Sequence, residues 1–407
     1  MTAYMKNLKI GLIKEGKTAP DFRVALTPEQ CKQVMEKHPN ITIVAQSSAI
    51  RKFTNQEYLD LDVAVVDDVT DCDVLIGVKE VPIDQLIAEK TYLFFSHTIK
   101  KQPYNAKLLR AVMDKKITLI DYEVLKDEKG KRVIGFGRYA GIVGVFEGFR
   151  ALGLKQNWYQ LPSPISCHDR AEMESHINDE LFKKPIKAVV TGYGRVGHGA
   201  EEMIQRFNLQ LVSPEEFHNY QGSENIYTHL DTHQYYQRIS DGGFEKREFY
   251  QSPELYKSVL MNWVKNADVY FACHLWKSGN PLLITSADLA SPDNCCKVIA
   301  DISCDVNGPI ASTIKASTIA EPFFGYCPID QQECDWKKEN SIMVMSVDNL
   351  PCELPRDASE DFGDEMINSV IPGLLEEDNA MIKGGMETHL GELTKTFEYL
   401  ADYAAGK

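Results

Sequence analysis

Two doubly wound α/β domains are what this 407-residue sequence predicts, and three observations predict them. Short continuous apolar runs alternate with helical patterns through the first 140 residues or so, as in a parallel sheet covered on both faces. A second series of the same kind begins at Lys187. That series opens on a glycine-rich turn, Gly192-x-Gly194-x-x-Gly197, set between a strand and a helix. Such domains are Rossmann-like. The length leaves room for two or three of them at ~100–200 residues each.

The elements follow in order. Residues 8–13 (LKIGLI) read as the first strand. Thr27-Pro28-Glu29-Gln30 reads as a helix start, with Thr27 as N-cap, Pro28 at the first helical position and Gln30 closing a capping box. Further strands are expected at 41–46, 63–67, 73–79, 91–97 and 117–123, with a helix around Asn105–Lys116. From Tyr139 to Leu154 the pattern is helical, with Val143, Phe146, Phe149 and Leu152 at spacings of three. It fits a helix joining two domains. Residues 155–186 carry no clear period. Ala188, Val189 and Val190 run into the glycine turn, and Ala200, Met203 and Ile204 mark the helix after it. Strands are expected again at 209–213, 268–274, 296–303 and 341–347, while 214–260, rich in Tyr, His, Gln and Glu, reads as an insertion. After Asp348-Asn349-Leu350-Pro351 the chain reads as helical to its end, with Leu390, Leu393, Phe397 and Leu400 as one packed stripe. The expected division is residues 1–140 with 349–407 as a substrate domain, and 141–348 as a dinucleotide-binding domain.

Composition narrows the classes. Apolar content of 43% and charged content of 25% are those of a soluble globular chain. No apolar run approaches the ~18 residues of a membrane span. The opening MTAYMKNLKIGLIKEGK leads almost directly into a strand and reads as lacking a signal peptide, so a cytoplasmic location is expected. The net charge of −15 disfavours nucleic acid and anionic membrane as partners. The cysteines form no CxxC, and Cys295 and Cys296 are adjacent, which suits free buried thiols. The histidines form no HExxH, and no metal is expected.

In the glycine turn, the first glycine permits the tight turn, the second admits a pyrophosphate and the third lets helix pack on strand. The helix start then faces an anion. In the first domain, polar residues recur where ligands bind in open α/β sheets, beyond the carboxyl ends of strands. Lys14 and Glu15 follow the first strand, with Arg23 in the loop beyond. Lys79 and Glu80 follow the fourth, His97 and Lys100 the fifth, and Asp121 and Glu123 end the sixth. Lys14, Arg23, Lys79 and Lys100 could form a positive cleft for a small molecule with several carboxylates. His97 can give and take protons near neutrality, and a lysine among other cations can act as a base.

Several stretches then resemble one family: GVKEVP (77–82), TYLFFSHTIKKQ (91–102), LIDYE (119–123), RVIGFGRYAG (132–141) and SVDNLPCELPRDASEDFG (346–363). They look like lysine-forming saccharopine dehydrogenase and, more closely, the lysine–ketoglutarate reductase half of the bifunctional lysine-degrading enzyme. Alanine dehydrogenase and transhydrogenase share the superfamily. The resemblance implies a cleft between the two domains. It implies the NAD(P)-dependent interconversion of saccharopine with lysine and 2-oxoglutarate. It makes Lys79 similar to the family's amine base and His97 to its acid–base group. Arg23, Lys100, Glu123 and Arg132 fall on positions that look like substrate contacts, beside Lys14. Gly192, Gly194, Arg195, Val196 and Gly197 fall on the cofactor turn, and Asp348 lies where the family approaches the nicotinamide. Val196 stands where the fungal enzyme has a cysteine, so the fungal disulfide is not expected. The fungal enzyme also has an acidic ribose-binding residue at the end of the second strand of the dinucleotide unit. Reading that strand as LQLVSPEE puts Ser213 there, which leaves NAD against NADP open. An alanine dehydrogenase-like enzyme and a non-catalytic dinucleotide sensor are the alternatives. An oligomer is compatible with the sequence.

Overall fold

Strand β1 (Leu8–Leu12) buries Ile10 and Leu12 because parallel strands flank it on both sides, β2 (Ile41–Gln46) and β4 (Val74–Ile76). A strand so enclosed is apolar over most of its length, Lys9 near its start, paired with Asp71, being the exception. The computed structural model describes residues 7–16 and 21–406, so the reading of the first six residues lies outside the described ones. The chain divides into two units, 1–136 with 355–407, and 137–354.

In the first unit, β3 (Ala64–Val66), β5 (Thr91–Phe94) and β6 (Thr118–Asp121) extend the parallel sheet in the order β6-β5-β4-β1-β2-β3. The chain winds outward from β1 in one direction and then, from β4, in the other. The order therefore reverses between β1 and β4, a topological switch point. Helix α1 (Pro28–Lys37) starts on the expected capping box: the Thr27 hydroxyl accepts the Gln30 N–H (3.2 Å) and Gln30 Oε1 accepts the Thr27 N–H (3.0 Å). Helices α2 (Asn55–Leu59) and α3 (Asn105–Asp114) complete this part.

The second unit opens with α4 (Gly137–Gln156), which buries residues all round. It is a core helix of this unit rather than the connector expected. After α5 (Arg170–Ser175), β7 (Lys187–Thr191) leads through the glycine turn into α6 (Arg195–Arg206). Then come β8 (Gln210–Leu211), α7 (Pro214–Asn219), β9 (Ile226–Leu230) and α8 (Thr232–Tyr235), with a small antiparallel pair, β10 (Tyr236–Arg238) and β11 (Tyr256–Ser258). Strands β12 (Val269–Ala272), β13 (Val298–Asp301), β14 (Phe323–Cys327), β15 (Gln332–Cys334) and β16 (Ile342–Met345) finish the sheet in the order β15-β14-β16-β13-β12-β7-β9-β8. The order reverses between β7 and β12. The expected insertion at 214–260 thus holds β9, a fully buried strand of the main sheet paired directly to β7.

The chain's last part corrects a second expectation. It is helical over Pro355–Glu365 and onward, but Met386–His389 (β17) and Glu392–Leu393 (β18) form a hairpin, and β17 pairs antiparallel with β6. Leu390 and Gly391 both have positive φ, 49° and 87°, as a two-residue hairpin turn requires. Leu390 is exposed on that turn, while Leu393, Phe397 and Leu400 pack with Leu109 and Ala404. No described helix is long and apolar enough to cross a membrane. None of the ten cysteines is in a disulfide, and six of them are buried.

Candidate active site

In the first unit the backbone pairing runs on past the strand ends. The Ile13 N–H donates to Ile76 O, the Gly77 N–H to Leu93 O and the Phe95 N–H to Val78 O, each at 3.0 Å. The residues after β1, β4, β5 and β6 therefore stand side by side at ~4.8 Å per strand. Lys14 and Glu15, Lys79, His97, and Glu123 fall into one row across the switch point.

Each member is held by its neighbours. The Glu15 carboxylate accepts the N–H of Val78 (2.7 Å) and of Lys79 (2.9 Å), which fixes the turn that presents Lys79. Burial, with the charge of Asp21, pushes Glu15 up to about 7 against those two donors. His97 sits at φ 56°, a left-handed conformation that a non-glycine residue keeps only where its surroundings enforce it. Its Nδ1 lies 3.1 Å from Glu123 Oε2, and Lys100 Nζ lies 3.0 Å from Glu123 Oε1. Lys100 Nζ is also 3.3 Å from His97 Nδ1, but it cannot donate to a nitrogen that itself donates. With Nδ1–H given to Glu123, the ring's free acceptor is Nε2. Burial works to raise Glu123, but the His97 hydrogen bond and the Lys100 charge outweigh it and hold the carboxyl at about 2. Glu123 is therefore an anion at every working pH.

The expected positive cleft is partly neutralised: two of its four cations, Arg23 and Lys100, are paired with Asp21 and Glu123. Arg23 is only 2% exposed, and its Nε and Nη2 reach Asp21 at 2.9 and 2.5 Å, with the guanidinium 4.0 Å over the Phe136 ring. Burial would raise Asp21; the Arg23 charge overrides it and holds the carboxyl at about 2, with Lys79 adding to the effect. A buried guanidinium without a partner would be far costlier. Arg132 donates from Nε to Ile134 O (2.9 Å) and lies over Phe95, whose ring stacks on His97. Lys14 is exposed, beside a ~300 Å³ cavity lined by Gln46, Gln85 and Tyr92. Lys79, His97, Lys100, Glu123 and Arg132 are thus brought together, Lys14 flanks them, and Arg23 stands behind Lys79 through Asp21.

In the second unit the glycine turn fits a dinucleotide. Gly192 has φ 96° and passes so close to Cys273 that a Cβ would collide with its carbonyl. A Cβ on Gly197 would collide with Gly192 O. A Cβ on Gly194 would meet no protein atom within 4 Å, so the fold itself does not need glycine there. A ligand approaching the backbone does. Gly194 also caps α6 without a side-chain hydrogen bond, so no cap side chain stands between the start of the helix and an anion. The turn is pinned from β9: His229 Nε2 donates to Gly192 O (2.7 Å), and the Tyr193 ring stacks on His229 at 3.8 Å while its hydroxyl donates to His229 O (3.0 Å). We expect Gly194→Ala to cost no more than ~1 kcal/mol of stability, as a poorer helix cap, and to weaken dinucleotide binding about 10-fold or more. Gly199→Ala, whose Cβ would strike Arg138 O where α4 crosses α6, should instead cost about 3 kcal/mol of stability. Urea melts and cofactor titration separate the two.

Ser213 does not stand at the end of the strand beside β7. It follows β8, the outer strand, and is spent as the N-cap of α7, accepting the Glu216 N–H at 3.2 Å. The strand beside β7 is β9, and the residue that leaves its carboxyl end is Asp231. Asp231 is half exposed; Oδ1 accepts the Thr232 N–H (2.7 Å) and Oδ2 lies 3.3 Å from His233 Nδ1. Asp348, exposed, follows β16, the third strand from β7 across the switch point. Asp231 directly follows the strand IYTHL (226–230), but Thr228 and His229 inside that run, with Glu224 and Asn225 before it, hid the strand. Asp21, which the sequence analysis did not single out, also belongs to the first unit's site through Arg23.

Residues 11–143 match the family model of the Alanine dehydrogenase/PNT, N-terminal domain. The chain is 28% identical to alpha-aminoadipic semialdehyde synthase of Arabidopsis thaliana, over 96% of this chain and 41% of that protein. It is 29% identical to the mitochondrial alpha-aminoadipic semialdehyde synthase of Mus musculus, over 96% and 47%. It thus spans less than half the length of those relatives. It is 26% identical to saccharopine dehydrogenase (NAD(+), L-lysine-forming) of Emericella nidulans, over 93% of this chain and 95% of that one. Among solved structures, an L-alanine dehydrogenase superposes with TM-score 0.64 at 17% identity, covering 98% of this chain and all of that one. A transhydrogenase from Sinorhizobium meliloti gives 0.61 at 14%, covering 95% and 100%. The resemblance drawn from the sequence motifs therefore holds, and the shared fold is that of alanine dehydrogenase and transhydrogenase.

Proposed function

We propose that this chain is a nicotinamide-dependent oxidoreductase of lysine metabolism that interconverts saccharopine with L-lysine and 2-oxoglutarate. The observation that carries the reading is the row of Lys79, His97, Lys100 and Glu123 on adjacent strand ends at the switch point. Similarity over nearly the whole chain to saccharopine dehydrogenase and to semialdehyde synthases supports it.

When bound at the glycine turn, the nicotinamide supplies hydride to the imine carbon or accepts it in the reverse direction. The chain's own residues manage protons and carboxylates. Lys79 takes a proton from the substrate amine as it attacks the keto carbon. His97, oriented through Nδ1 by Glu123, takes onto Nε2 a proton from the attacking nitrogen and passes it to the carbinolamine hydroxyl, which leaves as water. Lys100, Arg132 and Lys14 bind substrate carboxylates, and Arg23 with Asp21 sets the charge behind Lys79. Asp231 accepts hydrogen bonds from the ribose hydroxyls and repels a 2′-phosphate, so the cofactor is NAD rather than NADP.

The test is initial rates with lysine plus 2-oxoglutarate, using NADH and NADPH in parallel, and with pyruvate plus ammonia alongside. The expected result is NADH oxidation that needs both lysine and 2-oxoglutarate. Oxidation supported by pyruvate and ammonia alone, or by neither pair, would overturn the reading.

A further inference from the structure

Beneath His97 lies a buried polar chain that the reaction above does not use. Ser96, Thr98, Asp121 and Glu387 have essentially no solvent exposure. Ser96 Oγ is 2.5 Å from Asp121 Oδ2 and 2.7 Å from Thr98 Oγ1, and Thr98 Oγ1 is 2.5 Å from Glu387 Oε2. Three oxygen–oxygen contacts of hydrogen-bond length need three protons between them. Ser96 and Thr98 own two. No ammonium, guanidinium or imidazole donates to these four side chains among the described residues. The third proton must therefore sit on a carboxyl.

Which carboxyl follows from the donors around each. Asp121 accepts the Glu123 N–H on Oδ1 (2.7 Å), and on Oδ2 the Ser96 N–H (3.3 Å) and the Ser96 hydroxyl, a set that stabilises a carboxylate. Glu387 has no N–H donor among the described residues; it meets the two hydroxyls, Thr98 at 2.5 Å and Ser96 at 3.4 Å, and the Asp121 carboxyl itself. Its placement is deliberate in the backbone. Met386 pairs with Ile120 and Thr388 with the next residue, Leu119, so Glu387 is the extra residue of a bulge, a device that re-aims a side chain.

We propose that Glu387 is a positioning residue that carries a proton in the folded protein. It starts a one-way hydrogen-bond chain, Glu387 to Thr98 to Ser96 to the Asp121 carboxylate, that locks the 96–98 turn and hence His97 in its left-handed conformation. Burial, together with the Asp121 charge, pushes Glu387 up to about 8, in keeping with that assignment. The other groups that sense the pair are His97 and Glu123 on the turns above, and Tyr399 and Tyr403 from the C-terminal segment. The proton itself does not depend on the proposed reaction; only the value of placing His97 rests on that reading.

The sign of the pH effect is fixed by linkage. In the unfolded chain Glu387 loses its proton near the ordinary glutamate value, while in the folded chain it keeps it to about 8. Between those values the folded state binds the extra proton, so this residue's contribution to stability falls as pH rises. Glu387→Gln keeps a donor toward Thr98 and removes the titration. Thermal melts of the parent, Glu387→Gln and Glu387→Ala from pH 5 to 8.5 test this without any activity. The Gln variant should melt within ~2 °C of the parent at pH 7, and its Tm should gain on the parent's by at least about 3 °C between pH 5 and 8. Equal slopes for the parent and the Gln variant, or a Gln variant as unstable as the Ala variant, would overturn the proposal. If the Ala variant does not fold, the slope difference still decides. Where turnover is measurable, the Gln variant should retain it and the Ala variant should lose kcat with little change in KM. A loss of turnover by the Gln variant would count against the positioning role, whereas no turnover in the parent would strike only the reaction.

Discussion

Lys79→Met and His97→Gln should each lower kcat for lysine- and 2-oxoglutarate-dependent NADH oxidation by about 100- to 10,000-fold, the range for removing a general acid or base. NADH binding should be unchanged in both, because the glycine turn is held by residues of its own unit, Cys273 and His229. The reasons differ. Methionine fills the space of the lysine stem and leaves the backbone clamp from Glu15 to residues 78 and 79 in place, so only the amine is lost. Glutamine can still donate an amide N–H to Glu123, which keeps the Lys100–Glu123 pair anchored, but it cannot exchange a proton at the position of Nε2. Steady-state rates, with NADH titrated by fluorescence on the same preparations, check both halves. Near-parent turnover in both variants would remove this pair from the chemistry. Loss of NADH affinity along with turnover would mean that the substitutions had disturbed more than one proton-carrying atom.

The parallel strands were readable because a strand buried on both faces has no choice of composition. LKIGLI, ITIVAQ and DVLIGVK are apolar for the same reason that β1, β2 and β4 lie inside a sheet. The capping box at Thr27 was equally plain, since its bonds are local. What escaped depends on pairing between distant segments. The β17–β18 hairpin turns on Leu390-Gly391, and leucine at a positive-φ turn position gives no signal of the kind Asn-Gly gives. Glu387 therefore could not be connected to Ser96, which is 291 residues away in the chain. Strand β8 follows the glycine helix in sequence, but β9 follows it in space; only the pairing register shows that Lys187 to Thr191 run beside Ile226 to Leu230. Counting cations identified the row at the first unit's switch point, yet not that Asp21 already holds Arg23, because burial decides which charges must be paired.

That register has its largest consequence at Asp231. The parent should use NADH in clear preference to NADPH, and Asp231→Ser should erase most of the difference. The carboxylate offers charge-assisted hydrogen bonds to ribose hydroxyls, worth ~1.5–3 kcal/mol, so kcat/KM with NADH should fall about 10- to 100-fold. With NADPH it should rise, because the same anion no longer faces the 2′-phosphate. Serine suits the test since Asp231 also caps α8 through the Thr232 N–H, and serine caps about as well. The Tm should therefore hold, and a change in cofactor ratio cannot be charged to unfolding. Ser213→Ala is the matched control: it removes the cap of a surface helix and should cost ~1 kcal/mol of stability with no change in the NADH to NADPH ratio. If Ser213→Ala moved that ratio and Asp231→Ser did not, β8 rather than β9 would carry the ribose, and the strand beside β7 would have no part in choosing the cofactor.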